Sequence, residues 1–430
     1  MKIAVVGAGY VGLVSGTCLS ELGHTVICID NVKDKIKRLK RGDIPIYEPG
    51  LKAMIKKNVK KKKLFFSNTI KDGIKDASVV FICVNTPPKS SGEADLHYVE
   101  GVAREIAEIM DKYLVLVDKS TVPVGTGEWI KHTIKNYNKK NIDFDVVSNP
   151  EFLREGSAIK DFMEPDRIVI GVESKRAENI MKDIYKKLNA KLIITDVKSA
   201  EIIKHACNSF LATKISYINA IANICENVGA DVGEVARGMG LDNRIGRKFL
   251  DAGIGFGGSC FPKDLSAFIN ISQHLGYDFS LLKEVQNINS NQRLLFIKKI
   301  KETIWNIKGK TIGILGLAFK PDTDDLRNAP AIFIIEELQK EGAKIKAYDP
   351  VAMKNAKKIL RGVKYCRNAY ETAADSDAIV IITDWDEFKT LNLRKIKDLL
   401  KIPVIIDGRN TFEPEKVREL GFTYKSIGRK

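Results

Sequence analysis

The sequence predicts an α/β protein in which two doubly wound domains are joined by a long central helix and a helical middle region. Three observations carry this. Residues 1–30, MKIAVVGAGYVGLVSGTCLSELGHTVICID, read as strand, tight turn, helix and strand. The same order returns at 308–350, where KGKTIGIL leads through a Gly-containing turn and an apolar-periodic stretch at 330–341 to KIKAYDP. Between them, SAEIIKHACNSFLATKISYINAIANICENVGA (199–230) has no proline and no interior glycine, and its apolar residues recur at three- and four-residue steps. That is the period of a helix, and a run of this length makes a spine. Strands alternating with helical stretches build parallel sheets covered on both faces.

In the first domain, Ile3, Val5 and Val6 form the continuously apolar, β-branched run of a strand buried on both faces. Glycines follow at 7, 9 and 12, Gly23 closes the helix, and HTVICID supplies the next strand with Asp30 at its end. G-x-G-x-x-G alone is a weak signal. Set between strand and helix, with an acid 23 positions beyond Gly7, it is the dinucleotide fingerprint of a Rossmann-like domain. Gly7 permits the tight turn, Gly9 lets backbone approach a diphosphate, and Gly12 lets helix and strand pack closely. The diphosphate meets the N–H groups and positive end of the helix. Asp30 accepts hydrogen bonds from an adenosine ribose and repels a 2′-phosphate, so the expected cofactor is NAD.

Further βα units, ASVVFICV (77–84), YLVLVDKS (113–120) and FDVVSNPEF (144–152), deliver Thr86, Ser120, Thr121 and Glu151 to the carboxyl ends of strands. Ligands of open α/β sheets bind there. The NAD-binding domain is expected to span 1–197 and to close after KLIITD. The helical middle spans 198–305, with Lys204 and Asn208 four apart on one helix face and a shorter helical part from about 264 to 305. The third domain, 306–430, has strands at 311–316, 344–348, 378–383 and 403–407. It carries only part of the fingerprint, with Lys320 and Pro321 where a second close glycine turn would stand, so a different phosphate-bearing ligand is expected.

At 430 residues, 44% hydrophobic and 29% charged, the chain has the composition of a soluble protein of about three domains. Its longest apolar runs are strand-sized, too short to cross a bilayer, and the N-terminus runs straight into a strand pattern. The net charge of +16 suits an anionic small molecule as well as nucleic acid, but the densest cluster, KKNVKKKK at 56–63, has few aromatics beside it and reads as a solvated helix end. No nucleic-acid or membrane partner is expected. Seven cysteines with no C-x-x-C pair, and histidines at 24, 97, 132, 205 and 274 without ligand spacing, give no disulfide framework and no metal site. A reducing cytoplasm fits this usage.

One cysteine stands apart. In GFGGSCFPKD (255–264), Cys260 follows three glycines and a serine on what reads as sharply turning backbone, whereas Cys18, Cys28, Cys83, Cys207, Cys225 and Cys366 lie in apolar or helical stretches and read as packing. Oxidation of a simple alcohol needs no nucleophile. A thiol adds to an aldehyde, and the thiohemiacetal can give up a hydride to leave a thioester, which water opens to an acid. An NAD domain with a presented thiol therefore predicts oxidation through the aldehyde level to a carboxylate. Lys263 favours the thiolate, and the loop glycines are expected to give substrate and nicotinamide access to sulfur.

Together with NPEFLREG (149–156), KHACNSFLATKISYIN (204–219), NRIGRKFL (243–250) and GLAFKPDTDDLR (316–327), this loop resembles the UDP-glucose 6-dehydrogenases of the UDP-glucose/GDP-mannose dehydrogenase family, in the family's order and over essentially the whole chain to DGRN at 407–410. The resemblance implies double oxidation of UDP-glucose at C6 to UDP-glucuronate. Cys260 would be the nucleophile. Lys204, Asn208 and Asp264 would orient the hydroxyl and a water and stabilise the oxyanion, Thr121 would help hold that water, and Glu151 would transfer protons. It implies cofactor contacts at Gly7, Gly9, Tyr10, Val11, Gly12, Asp30, Thr86, Thr121, Glu155, Lys263 and Arg327. Substrate contacts are implied at Glu151, Phe152, Leu153, Lys204, Asn208, Phe249, Phe256, Gly257, Lys320 and Arg409. Arg244 would reach the substrate of a neighbouring subunit, so a homodimer or larger assembly is implied. GDP-mannose 6-dehydrogenase shares the G-G-S-C loop, dehydrogenases of UDP-N-acetyl-hexosamines usually carry histidine in place of Ser259, and a catalytically silent sugar-nucleotide sensor would share the fold. Retention of Cys260, Lys204 and Asp264 together speaks against the sensor.

Overall fold

The opening run KIAVV becomes β1 (Lys2–Val6), from which a sheet is wound in both directions. Its other strands are β2 (Thr25–Ile29), β3 (Leu64–Ser67), β4 (Val79–Ile82), β5 (Leu114–Asp118), β6 (Phe144–Ser148), β7 (Arg167–Gly171) and β8 (Lys191–Thr195). The order is β3-β2-β1-β4-β5-β6-β7-β8. Neighbours run parallel except at β6–β7, an antiparallel junction through the single pair Ser148↔Gly171. Successive side chains of β1 face opposite ways. Ile3 and Val5 pack with Leu13, Val26 and Phe81, while Ala4 and Val6 pack with Val80, Leu116 and Ile130. Both faces are covered, which is why the strand is apolar throughout rather than alternating.

This computed structural model describes residues 1–89 and 92–430. The first sheet lies in a unit made of Met1–Cys207 and Ser266–Tyr277, and a second unit is made of Asn208–Leu265 and Asp278–Lys430. The second unit holds a parallel sheet of β9 (Thr311–Leu315), β10 (Lys344–Tyr348), β11 (Val363–Tyr365), β12 (Ala378–Ile381), β13 (Val404–Asp407) and β14 (Thr423–Lys425), in the order β11-β10-β9-β12-β13-β14. In each sheet the chain leaves the centre one way and returns to build the other side. This creates topological switch points between β1 and β4 and between β9 and β12.

The two sheets treat the acid after their second strand differently. Asp30, after β2, accepts from the Ala8 and Val32 amides and from Lys35 Nζ at 2.6 Å. Asp349, after β10, is fully buried and accepts from the amides of Leu317, Ala318, Val351 and Ala352 and from the Trp385 indole. A carboxylate so occupied has no lone pair left for a ribose, so the third segment keeps the dinucleotide fold without that contact.

The long helical pattern forms one 32-residue helix, Val197–Val228. The shorter helical part forms Cys260–His274 and Ser280–Ile304. Its start differs from expectation. Cys260 is not on a turn but is the first residue of a helix. Pro262 is tolerated two residues later because first-turn amides have no intrahelical acceptor to lose.

Candidate active site

The three fingerprint glycines are glycine for different reasons. Gly7 has φ +101°, and a Cβ there would lie 2.5 Å from the Cys83 carbonyl oxygen. A Cβ on Gly12 would lie 1.8 Å from the Gly7 carbonyl. Gly9 meets only Asn85 Oδ1, at 3.9 Å, and has ordinary extended dihedrals. The fold itself therefore demands glycine at 7 and 12 but not at 9, where the open space suits the close approach of a diphosphate. No side chain caps the helix Tyr10–Glu21, so its first amides, from Tyr10 and Val11 onward, point out uncapped. Tyr10 is turned aside, its hydroxyl donating to Glu48, which also accepts from the Gly156 and Ala158 amides. Burial and Glu48 hold this phenol well above its usual range. The residues present fit a dinucleotide.

The same carboxyl edge of the first sheet carries Thr86, Thr121 and Glu151, past β4, β5 and β6. Thr86 Oγ1 donates to the Thr121 carbonyl at 2.9 Å. The central helix holds the rest of that loop: Glu201 accepts from the Gly125 and Gly127 amides at 2.6 and 2.8 Å, and His205 Nε2 donates to the Val122 carbonyl at 2.8 Å. His205 is also stacked on Phe268. One helical face thus anchors the Thr121 loop and presents Lys204. Lys204 Nζ donates to Glu151 Oε1 at 3.0 Å, both side chains being buried, and Glu151 Oε2 accepts from the Leu153 amide at 2.5 Å. Phe152 lies 5.4 Å from the Lys204 ammonium and under the Arg167 guanidinium at 4.0 Å, and Glu155 is half-buried nearby in sequence.

In the second unit, Cys260 is half-buried, with Ser259 Oγ 3.6 Å from its sulfur. Asp264 follows one turn later on the same helix, so the two share a face. Asp264 is buried. It accepts from Asn208 Nδ2 at 2.6 Å on Oδ2 and pairs with Lys263 Nζ at 2.8 Å on Oδ1. The glycines before Cys260 make room for the chain's own atoms, a demand the sequence did not reveal. A Cβ on Gly255 would lie 2.7 Å from Asn289 Oδ1, on Gly257 2.4 Å from the Asn328 carbonyl, and on Gly258 2.8 Å from the Phe319 ring. The Gly258 amide donates to the Arg327 carbonyl, and Asn289 brackets Phe256 through both its amide and its carbonyl. This loop is thereby sewn to the segment bearing Lys320 and Arg327.

Arg409 is half-buried and donates to the carbonyls of Ile382, Gly255 and Phe319. Burial lowers its proton affinity. Phe249 takes φ +66°, rare for a bulky side chain, with its ring 6.4 Å from that of Phe261. Lys320 Nζ sits 5.8 Å from the Phe319 ring centre, and Arg327 is an exposed guanidinium braced by Asp325. Arg244 stands apart, 89% exposed and braced by Asp242.

Of the cysteines read as packing, Cys18, Cys28, Cys83, Cys225 and Cys366 are buried, and burial pushes the Cys18 and Cys83 thiols up to about 12, far from nucleophilic. Cys207 is only half-buried and accepts from Arg167 at 3.3 Å. Three residues escaped sequence reasoning: Lys35 on Asp30, Lys119 on Asn149, and Arg293, whose Nη2 donates to the carbonyls of Phe256 and Asn328. In a chain with 70 lysines and arginines, none has a motif to single it out; only the five-residue spacing from Asp30 could have flagged Lys35. Among the described residues there is no group of three or more His, Cys, Asp or Glu side chains able to hold a metal, and no helix long and apolar enough to cross a membrane.

Known proteins share the fold and the order of its domains. The NAD-binding, central and UDP-binding domain models of the UDP-glucose/GDP-mannose dehydrogenase family match residues 1–189, 198–291 and 313–414. The UDP-glucose 6-dehydrogenase TuaD of Bacillus subtilis is 53% identical over 429 residues, covering 100% of this chain and 93% of the relative. That of Rhizobium meliloti is 48% identical over 436 residues and the full length of both chains. The structure of a UDP-glucose dehydrogenase from Pyrobaculum islandicum superposes with a TM-score of 0.93 at 36% identity, covering 100% of this chain and 98% of that one. With an NAD-binding domain at its start and relatives alike from end to end, the chain belongs to the UDP-glucose/GDP-mannose dehydrogenase family.

Proposed function

We propose that this dehydrogenase oxidises UDP-glucose twice at C6, to UDP-glucuronate, with Cys260 carrying the substrate between and after the oxidations. NAD, when bound, takes a hydride at the alcohol level and another at the thiohemiacetal level. The single observation that carries the chemistry is the half-buried thiol at the first position of the helix Cys260–His274, with Asp264 held by Asn208 one turn on. The positive end of a helix favours a thiolate, which adds to the aldehyde carbon. The resulting alkoxide needs fixed donors, and the ammonium of Lys204 and the amide of Asn208, four apart on one helix, are donors of that kind. After the second oxidation the thioester is opened by a water, for which Thr121 and Asp264 are the positioning groups and Glu151 the proton acceptor. Glu151 pairs with Lys204 at 3.0 Å, which fixes its carboxyl beside the proposed oxyanion donor. Phe152, Leu153, Phe249, Phe256, Gly257, Lys320 and Arg409 are proposed to hold the sugar nucleotide. Gly7, Gly9, Tyr10, Val11, Gly12, Asp30, Thr86, Glu155, Lys263 and Arg327 are proposed to hold NAD.

The choice of UDP-glucose is supported by the full-length relatives of that name. Incubation with UDP-glucose, GDP-mannose and UDP-N-acetylmannosamine in turn is expected to release two NADH per UDP-glucose consumed and little from the others. Turnover of GDP-mannose alone, or a single NADH per sugar, would refute the proposal.

We further propose a homodimer or larger assembly through the central helix. Phe210, Tyr217 and Ile224 recur at seven-residue steps on that helix and are 64%, 51% and 56% exposed, an apolar stripe of the kind helices bury against a second copy. Arg244, exposed on its loop, is proposed to serve the partner's substrate. A Phe210→Glu, Tyr217→Glu variant should elute near the 47.9 kDa monomer mass in light scattering, with its KM for UDP-glucose raised about tenfold or more. Unchanged mass would sink this assignment.

A further inference from the structure

The roles above leave one buried cation unused. Lys119 stands just past β5 and is 5% exposed. Its ammonium donates to the Asn149 carbonyl at 3.3 Å and to Asn149 Oδ1 at 3.1 Å. Asn149 is fixed from other sides as well: Tyr185 donates to its Oδ1 at 2.6 Å, and its own Nδ2 donates to the Val169 carbonyl at 2.7 Å. Two residues on comes Glu151, already gripped by Lys204 and the Leu153 amide. Among the described residues, Lys119 makes no ion pair; its hydrogen-bond partners are neutral oxygens.

A buried ammonium with only neutral partners is costly. Burial pulls the proton affinity of Lys119 down to about 8, with Cys83 and Glu151 raising it and Lys204 lowering it further. The groups around it come from several elements: Cys83 after β4, Asp118 on β5, Glu151 after β6, Tyr185 at the end of the helix Lys175–Tyr185, and Lys204 on the central helix. Burial holds the Cys83 thiol and the Tyr185 phenol up, and Asp118 well above the usual carboxylate range. Besides Lys119, a second amine, that of Lys204, stands here with the one carboxyl it pairs with, Glu151. A neutral donor could hold Asn149 without that surplus positive charge, and a surplus positive charge is what a developing oxyanion requires.

We propose that Lys119 is a positioning residue for the oxidation, anchoring the Asn149–Glu151 segment through Asn149 and adding a positive charge beside the Glu151–Lys204 pair. This rests on the reading that Glu151 and Lys204 act in the reaction. It is tested by the pH dependence of kcat, followed by NADH release from the full chain at saturating UDP-glucose and NAD, in wild type, Lys119→Met, Lys119→Gln and Lys119→Arg. Removing the charge raises the proton affinity of both neighbours. Lys119→Met should therefore lose about 10- to 100-fold in kcat, keep its KM for NAD within about twofold, and move both limbs of the profile up by about one pH unit. Lys119→Gln can still donate to Asn149 and should shift the limbs equally, so it carries the test if the Met variant fails to fold. Lys119→Arg should leave them in place. Limbs that coincide with wild type in the folded Met or Gln variant overturn the proposal, as does an Arg variant that shifts as far as they do. Wild-type protein that releases no NADH from UDP-glucose overturns instead the reading beneath it, and this proposal with it.

Discussion

Replacing Cys260 with serine is expected to cut release of the acid by about a thousandfold or more while NAD and UDP-glucose still bind within about twofold of wild type. The change is small in volume and leaves Asp264 held by Asn208 and Lys263. What it removes is acidity and leaving-group ability. Near neutral pH a thiol supplies an appreciable fraction of thiolate, favoured further at a helix N-terminus, whereas a serine hydroxyl without a partnered base remains neutral. Even if an oxygen adduct formed and were oxidised, the product would be an ester that water opens more slowly than a thioester. Chromatography of the product with calorimetry of both ligands separates the effects. Full oxidation by Cys260→Ser at near wild-type rate would mean that no covalent sulfur intermediate is used.

The second large effect is structural and lies in the first unit. Gly12→Ala would place a Cβ 1.8 Å from the Gly7 carbonyl oxygen, a backbone atom that cannot swing aside. Either the helix Tyr10–Glu21 lifts off β1 or the tight turn opens, and both destroy the diphosphate seat. A cost of about 3 kcal/mol is expected, read as a melting temperature lower by about 6–10 °C, with NAD affinity reduced by about 100-fold or more. Gly9→Ala provides the contrast. Its Cβ meets nothing closer than 3.9 Å, so the variant should melt like wild type and lose only NAD binding. Equal melting temperatures for Gly12→Ala and wild type would show that the close packing of helix on strand is not what fixes this glycine.

The parts of the molecule that were legible are those whose determinants lie close together in sequence. The fingerprint needs glycines within six positions and an acid on the next strand, and the central helix needs only an uninterrupted period. Cys260 was legible as unusual, but its setting was misread. Phe-Pro after a glycine-serine run suggests a turn, yet a proline in the first helical turn loses no hydrogen bond. The packing demand on Gly255, Gly257 and Gly258 could not be read, because the atoms that exclude their side chains belong to Asn289, Asn328 and Phe319. Those residues are distant in the chain. β3, β11 and β14 are only three or four residues long, and β7 and β8 sit beyond the reversal at β6, where the alternation of strand and helix no longer predicts direction. Lys119 and Arg293 act through backbone carbonyls, and a lysine or arginine that bonds a carbonyl leaves no pattern in sequence.

The unequal demands on the three fingerprint glycines bear on how such chains change over time. Positions 7 and 12 are policed by folding, so mutations there are purged whether or not the protein still uses NAD. Position 9 is not policed by folding, and on the proposed reading it answers to the cofactor alone. A descendant that had abandoned oxidation for sensing would be released from selection at 9 first, and would carry a side chain there between two intact glycines. In this chain Gly9 is still glycine.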